Sequence, residues 1–320
     1  MSLTRELANP HSPITRFLNA HLPGGAANDA YLKAARNLTR TIRPPEVRNV
    51  PWTTLGTAID LRIRMWLGAQ VHHGVKAGIN HLRAPAGFVP ATPGHAAKYT
   101  PHLNAAKAGE HLLQLLRRPG PRDPTPADEE HLARLAIVAA RYEHIFRTAE
   151  IPLHHQRAVS HFTELRLGAD PRYSLRRLTS EIPRTYAVDV CQQLDAAKKP
   201  LAALKGRPLT CGPLFAGSQD VGHAEGDFIA GGVLVDCKAT ITPAHYPRQS
   251  LAWLQQLAAY LLLDYPDHYR IHEVGLYLSR QGALISWPVP EFLSLLGARQ
   301  SLPDLRRHLR VYLGTAFYRR

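Results

Sequence analysis

Residues 225–240 read Glu225-Gly226-Asp227-Phe228-Ile229-Ala230-Gly231-Gly232-Val233-Leu234-Val235-Asp236-Cys237-Lys238-Ala239-Thr240, and the fold turns on how this stretch pairs with itself. Gly231-Gly232 lies between two apolar runs, and glycine supplies the positive φ that two-residue hairpin turns require. A turn there opposes Ala230 to Val233, Ile229 to Leu234, Phe228 to Val235 and Asp227 to Asp236. Opposed residues on one sheet face have Cβ atoms roughly 4.5–5.5 Å apart. Lys238 is two residues beyond Asp236 and points to the same face. Phe228, Ile229, Val233, Leu234 and Val235 fill both faces, which predicts a buried strand pair.

Two carboxylates at that spacing repel each other, and burial raises the cost. A divalent cation would neutralise them, and hard oxygen ligands favour Mg²⁺ or Mn²⁺ over zinc. Lys238 beside the metal would position or deprotonate a water and stabilise developing negative charge. The competing reading makes Asp227 and Asp236 solvated turn-flanking residues with Lys238 as their salt-bridge partner. Apolar residues on both faces weigh against it. Asp220, His223 and Glu225 lie just upstream; His223 is in reach of a metal or phosphate, but a structural role is the plainer reading.

Working outward, a strong helix is expected over 248–264, and it carries Gln256-Leu-Ala-Ala-Tyr260. Gln256 and Tyr260 are four residues apart and therefore share a helix face. Taken together, Asp227, then Asp236-Cys237-Lys238, then Gln256 and Tyr260 resemble the RecB-type branch of the PD-(D/E)xK nucleases. Upstream, Gly56-Thr-Ala-Ile-Asp60 resembles that family's first-helix motif, with an Asp where the RecB-type pattern has His. The resemblance covers about 51–67 and 204–290. It implies an α/β (α+β), restriction-endonuclease-like core, a mixed sheet flanked by helices. It also implies phosphodiester hydrolysis with Mg²⁺ or Mn²⁺ held by Asp227, Asp236, the main-chain carbonyl of Cys237 and, by the upstream motif, Asp60. Gln256 and Tyr260 would steady the site and the nucleic-acid backbone.

That reading organises the chain as an N-terminal helical arm over 1–50, a nuclease-like core of 51–68 plus 204–290, a helical insertion over 69–203, and C-terminal helices over 291–320. Helices are expected at 30–43, 53–67, 104–118, 126–147, 152–167 and 180–204, with short ones at 290–296 and 303–313. A loop is expected from Ala84 to Pro101. Four prolines within 119–126, at Pro119, Pro121, Pro124 and Pro126, preclude a continuous helix there. From about Gly206, short β-branched runs appear at 226–229, 233–240, 274–278 and 283–289.

The chain has 320 residues, 39 Lys plus Arg against 25 Asp plus Glu, and a formal charge of +14. Arginine, suited to bidentate phosphate contacts, supplies most of the cations. Arg36, Arg40, Arg43, Arg62, Arg64, Arg117, Arg176, Arg177, Arg306, Arg307 and Arg310 recur along predicted helices. Nucleic acid is thus the expected partner, DNA ahead of RNA, and no membrane partner is expected. A basic nucleic-acid-binding or scaffold protein on the same fold is the non-catalytic alternative. Three cysteines without a CxxC argue against a disulfide framework and suit a reduced cytoplasm. The 18 histidines include His72-His73, His154, His155, His161, His268 and His272, but no HExxH. No P-loop, GxGxxG or GxSxG is present, which argues against nucleotide cofactors and α/β-hydrolase chemistry.

Overall fold

A computed structural model describes residues 3–46, 50–68, 73–83, 93–117, 123–149 and 173–317. Contacts divide the chain into two units, Met1–Arg43 with Ala196–Arg320, and Pro44–Asp195. The first is an α/β unit; the second is helical and is inserted in sequence between the two parts of the first.

The glycine turn forms as the sequence predicts, with Gly231 at φ +55° and Gly232 at φ +84°. Gly232 is also required by space, because a Cβ there would lie 2.4 Å from His272 Nδ1. Strands β2 (Phe228–Ala230) and β3 (Val233–Lys238) pair in the expected antiparallel register, Phe228 with Val235, Ile229 with Leu234 and Ala230 with Val233. A short strand not expected from sequence, β1 (Leu209–Cys211), covers the other edge of β2. β4 (Glu273–Leu278) runs parallel to β3, and β5 (Ala283–Pro288) returns antiparallel to β4. The sheet is therefore mixed, ordered β1-β2-β3-β4-β5.

A parallel neighbour demands a crossover connection, and here it contains a helix of 17 residues, Pro247–Leu263. Its Leu254, Leu257, Ala258 and Leu261 share one core with Ile229, Leu234, Val274, Leu276 and Leu278 of the sheet. Fully burying one such leucine contributes about 1.5–3 kcal/mol. Helices α1 (Leu3–Ala8), α2 (Pro13–His21) and α3 (Gly25–Arg36) complete this core from the N-terminal side. The last helices, Val289–Leu295 and Leu302–Phe317, close it from the other end.

α3 stops at Arg36 rather than continuing to Arg43. Arg43, the residue before Pro44-Pro45, is disfavoured from the helical region, and Ile42 donates its N–H to Arg280 O at 2.8 Å rather than to a helical carbonyl.

In the helical unit, α4 (Trp52–Leu67) and α5 (His73–Arg83) both pack on α7 (Pro126–Ala149). Gly78 permits the α5–α7 approach, since a Cβ there would fall 1.8 Å from Tyr142 O. The contacts of α4 place 51–68 with the helical unit, where the sequence reading had grouped it with the core. α6 (Pro93–Leu116) begins inside the expected 84–101 loop and carries Pro101 within it; a proline removes one helical hydrogen bond without always ending the helix. The expected 180–204 helix is shorter, α9 (Arg184–Lys198), followed by a single 3₁₀ turn, and a further helix, α8 (Leu175–Ser180), precedes it. The division between units falls inside α9. The crossover helix Pro247–Leu263, Val289–Leu295 and Leu302–Phe317 are α10, α11 and α12. The helix expected over 152–167 lies outside the described residues. No described helix is long and apolar enough to cross a membrane.

Candidate functional site

The C-terminal end of β3 turns from apolar to charged along one face: Leu234 is fully buried, Asp236 is 2 % exposed, and Lys238 follows. Asp227 lies one residue before β2 begins, beyond the last ladder pair of the hairpin. Its Oδ2 accepts the backbone N–H of Cys237 at 2.7 Å. The carboxylate thereby ties the two strands together where the ladder stops. Lys238 Nζ lies 2.6 Å from Asp236 Oδ2. The three residues singled out by the hairpin arithmetic are thus gathered at the open end of β2 and β3.

Lys238 makes a second contact that its strand neighbours do not dictate. Its Nζ donates to Gln256 Oε1 at 3.0 Å, Gln256 Nε2 donates to Tyr260 OH at 2.7 Å, and the Tyr260 hydroxyl donates to Glu225 O at 2.9 Å. Every donor in this series meets an acceptor, so the side chains hold one another in a single arrangement. The four-residue spacing of Gln256 and Tyr260 puts both on the α10 face that meets β3. Tyr260 is itself buried at 3 % exposure, stacked on Phe215 with ring centroids 5.4 Å apart.

Charge follows from the same geometry. Burial works against the Lys238 ammonium, but the carboxylates of Asp236 and Asp227 outweigh it and raise its pKa. A lysine held charged is a donor and a positive pole, not a base. The sequence reading allowed it either to position or to deprotonate a water, and this environment favours the first. Trp253, which the sequence reading did not single out, lies with its ring centroid 5.9 Å from Lys238 Nζ. Its position three residues before Gln256, on the same helix face, was the available signal.

The secondary residues are placed differently. His223 adopts a left-handed backbone at φ +80° and brings Nε2 to 3.7 Å from Glu225 Oε2, whose side chain is 2 % exposed. Asp220 accepts from Tyr265 OH at 2.7 Å. Asp60 lies in the helical unit, where both carboxylate oxygens accept from Arg64 one turn along α4. Arg62 and Arg306, expected on a basic surface, are 4 % and 3 % exposed and pair with Glu129 and Asp267; Arg64 is buried likewise. Of the clustered histidines in the sequence, His72, His154, His155 and His161 lie outside the described residues. Among the described residues no three His, Cys, Asp or Glu side chains are arranged to hold a metal ion.

The donor set at the hairpin is all oxygen: two carboxylates, with the Cys237 main-chain carbonyl between Asp236 and Lys238 in sequence. Such a set fits a hard divalent cation, which takes carboxylate and carbonyl ligands and retains waters of its own. The chain matches no family model, no curated protein and no solved structure.

Proposed function

We propose that this chain is a metal-dependent nuclease that hydrolyses phosphodiester bonds, with DNA as its expected substrate. The observation that carries the reading is the meeting of Asp227, Asp236 and Lys238 at one end of two adjacent strands, with Lys238 fixed from the helix side by Gln256. Asp227, Asp236 and the Cys237 carbonyl would hold Mg²⁺ or Mn²⁺. Such an ion supplies a water of lowered pKa and neutralises charge on the phosphoryl oxygens. Lys238 would donate to the oxygens on which negative charge develops. Gln256 orients the ammonium, and Tyr260 orients Gln256. The positive balance of the chain supplies the attraction for a polyanion.

A second reading rests on one contact. The Asp236–Lys238 ion pair closes on itself, as it would in a non-catalytic nucleic-acid-binding or scaffold protein on the same fold. The two separate on cleavage of single- and double-stranded DNA and RNA in Mg²⁺ or Mn²⁺, comparing the wild type with Asp236→Ala. Metal-dependent cutting that falls to background in the variant, with DNA binding retained, supports the nuclease. Salt-sensitive binding without cutting by either protein supports the scaffold.

A further inference from the structure

The helical unit has no part in the chemistry proposed above, yet it contains a cavity of about 320 Å³ between α5 and α6. Cations line both banks: Lys76 and Arg83 on α5, and Arg117 just after α6. The amides of Asn80 and Gln114 lie beside them. Lys76, Asn80 and Arg83 recur at three- and four-residue intervals, which puts them on one stripe of the helix. The same holds for Glu110, Gln114 and Arg117 on the opposite bank. α5, His73–Arg83, contains no acidic residue. The single carboxylate in the lining, Glu110, lies 2.6 Å from Arg83 in a pair whose side chains are 38 % and 52 % exposed. An ion pair so exposed contributes about 1 kcal/mol or less, so it yields readily to a stronger anion.

Length argues for a polymer over a small ion. Lys76 and Arg83 are seven residues apart, which at 1.5 Å per residue is about 10 Å along the helix axis. With Arg117 on the facing bank, the cations are spread along the groove rather than gathered at one point. Three cations and two amides in an open groove suit successive phosphates and sugar oxygens of a nucleic-acid strand. The lining has no aromatic side chain to stack on bases, so the contact would be independent of sequence.

We infer that the α5–α6 groove binds the sugar–phosphate backbone of nucleic acid through Lys76, Arg83 and Arg117, as a second contact outside the hydrolytic site. The inference rests on nucleic acid being the partner, as in the reading above, but needs no hydrolysis.

Its test is the salt dependence of binding to a labelled DNA duplex in EDTA, where cleavage is off. The full chain is compared with Lys76→Gln/Arg83→Gln/Arg117→Gln. All three side chains are exposed, and circular dichroism checks that the variant folds. Each phosphate neutralised contributes about 0.9 to the slope of log K against log salt. Loss of all three should flatten that slope by about 2.7 and weaken binding at least tenfold at low salt. A control variant, Lys33→Gln/Arg36→Gln/Lys199→Gln, removes the same charge from exposed positions of the α/β unit and should flatten the slope by less than half as much. Equal flattening in the two variants, no flattening in the first, or no duplex binding by the wild type would overturn the inference. Retained DNA binding with lost poly-glutamate binding would overturn it too, and assign the groove to an acidic protein. The groove is read from binding in EDTA and the nuclease from metal-dependent cleavage, so a failed groove and a failed nuclease reading give different results.

Discussion

In the helical unit, Asp60, Glu130 and Glu143 each accept from an arginine four residues along the same helix, Arg64, Arg134 and Arg147. In the α/β unit, Asp227 accepts from a backbone amide across a hairpin, and Asp236 meets a lysine on its own strand. Both regions place carboxylates in sheltered surroundings. The difference lies in what the partner can do. An arginine one helical turn away matches a carboxylate with fixed, parallel donors and cannot lose its proton, so the pair is a finished structural unit. A lysine is a mobile point charge that also reaches Gln256, and its two neighbouring carboxylates come from different arms of the hairpin. The first arrangement closes a helix surface; the second leaves charges converging where a strand pair ends.

Lys238→Met breaks that contrast from the α/β side. It keeps an unbranched side chain one atom shorter and removes its charge, and cleavage is expected to fall about 10²–10³-fold, as for loss of a donor to developing charge. Mn²⁺ affinity should hold or rise, because a cation beside the metal ligands is gone. Calorimetric titration with single-turnover rates checks both; unchanged rates would remove Lys238 from the chemistry.

Asp60→Ala breaks it from the helical side. Removing one member of a buried pair leaves Arg64 without its carboxylate, which should destabilise the fold by about 3 kcal/mol, the low end for such pairs. Denaturant unfolding reads the loss. Cleavage per folded molecule and Mn²⁺ affinity should stay near wild type. A drop in Mn²⁺ affinity without a drop in stability would return Asp60 to the metal site, as the upstream motif implied.

The sequence carried the hairpin well, because Gly231-Gly232 and the flanking apolar alternation leave one register that buries both faces. Gln256 and Tyr260 were legible for the same kind of reason, a fixed spacing on a long apolar helix. Contacts between distant segments were not. That Asp227 would accept from Cys237 N–H depends on where the ladder ends, and nothing local marks that point. β1 was missed because Leu209-Thr-Cys211 is three residues long and gains its strand character only by pairing with β2. The arginines taught the opposite lesson. Arg62, Arg64 and Arg306 read as solvated cations until their partners came into view.

Crystals of the full chain grown with Mn²⁺, examined by anomalous scattering, test the central claim most directly. The account predicts a manganese peak between the carboxylates of Asp227 and Asp236, present in the wild type and absent in Asp236→Ala. A hairpin without manganese at saturating concentration, with the Asp236–Lys238 pair still closed, would contradict it.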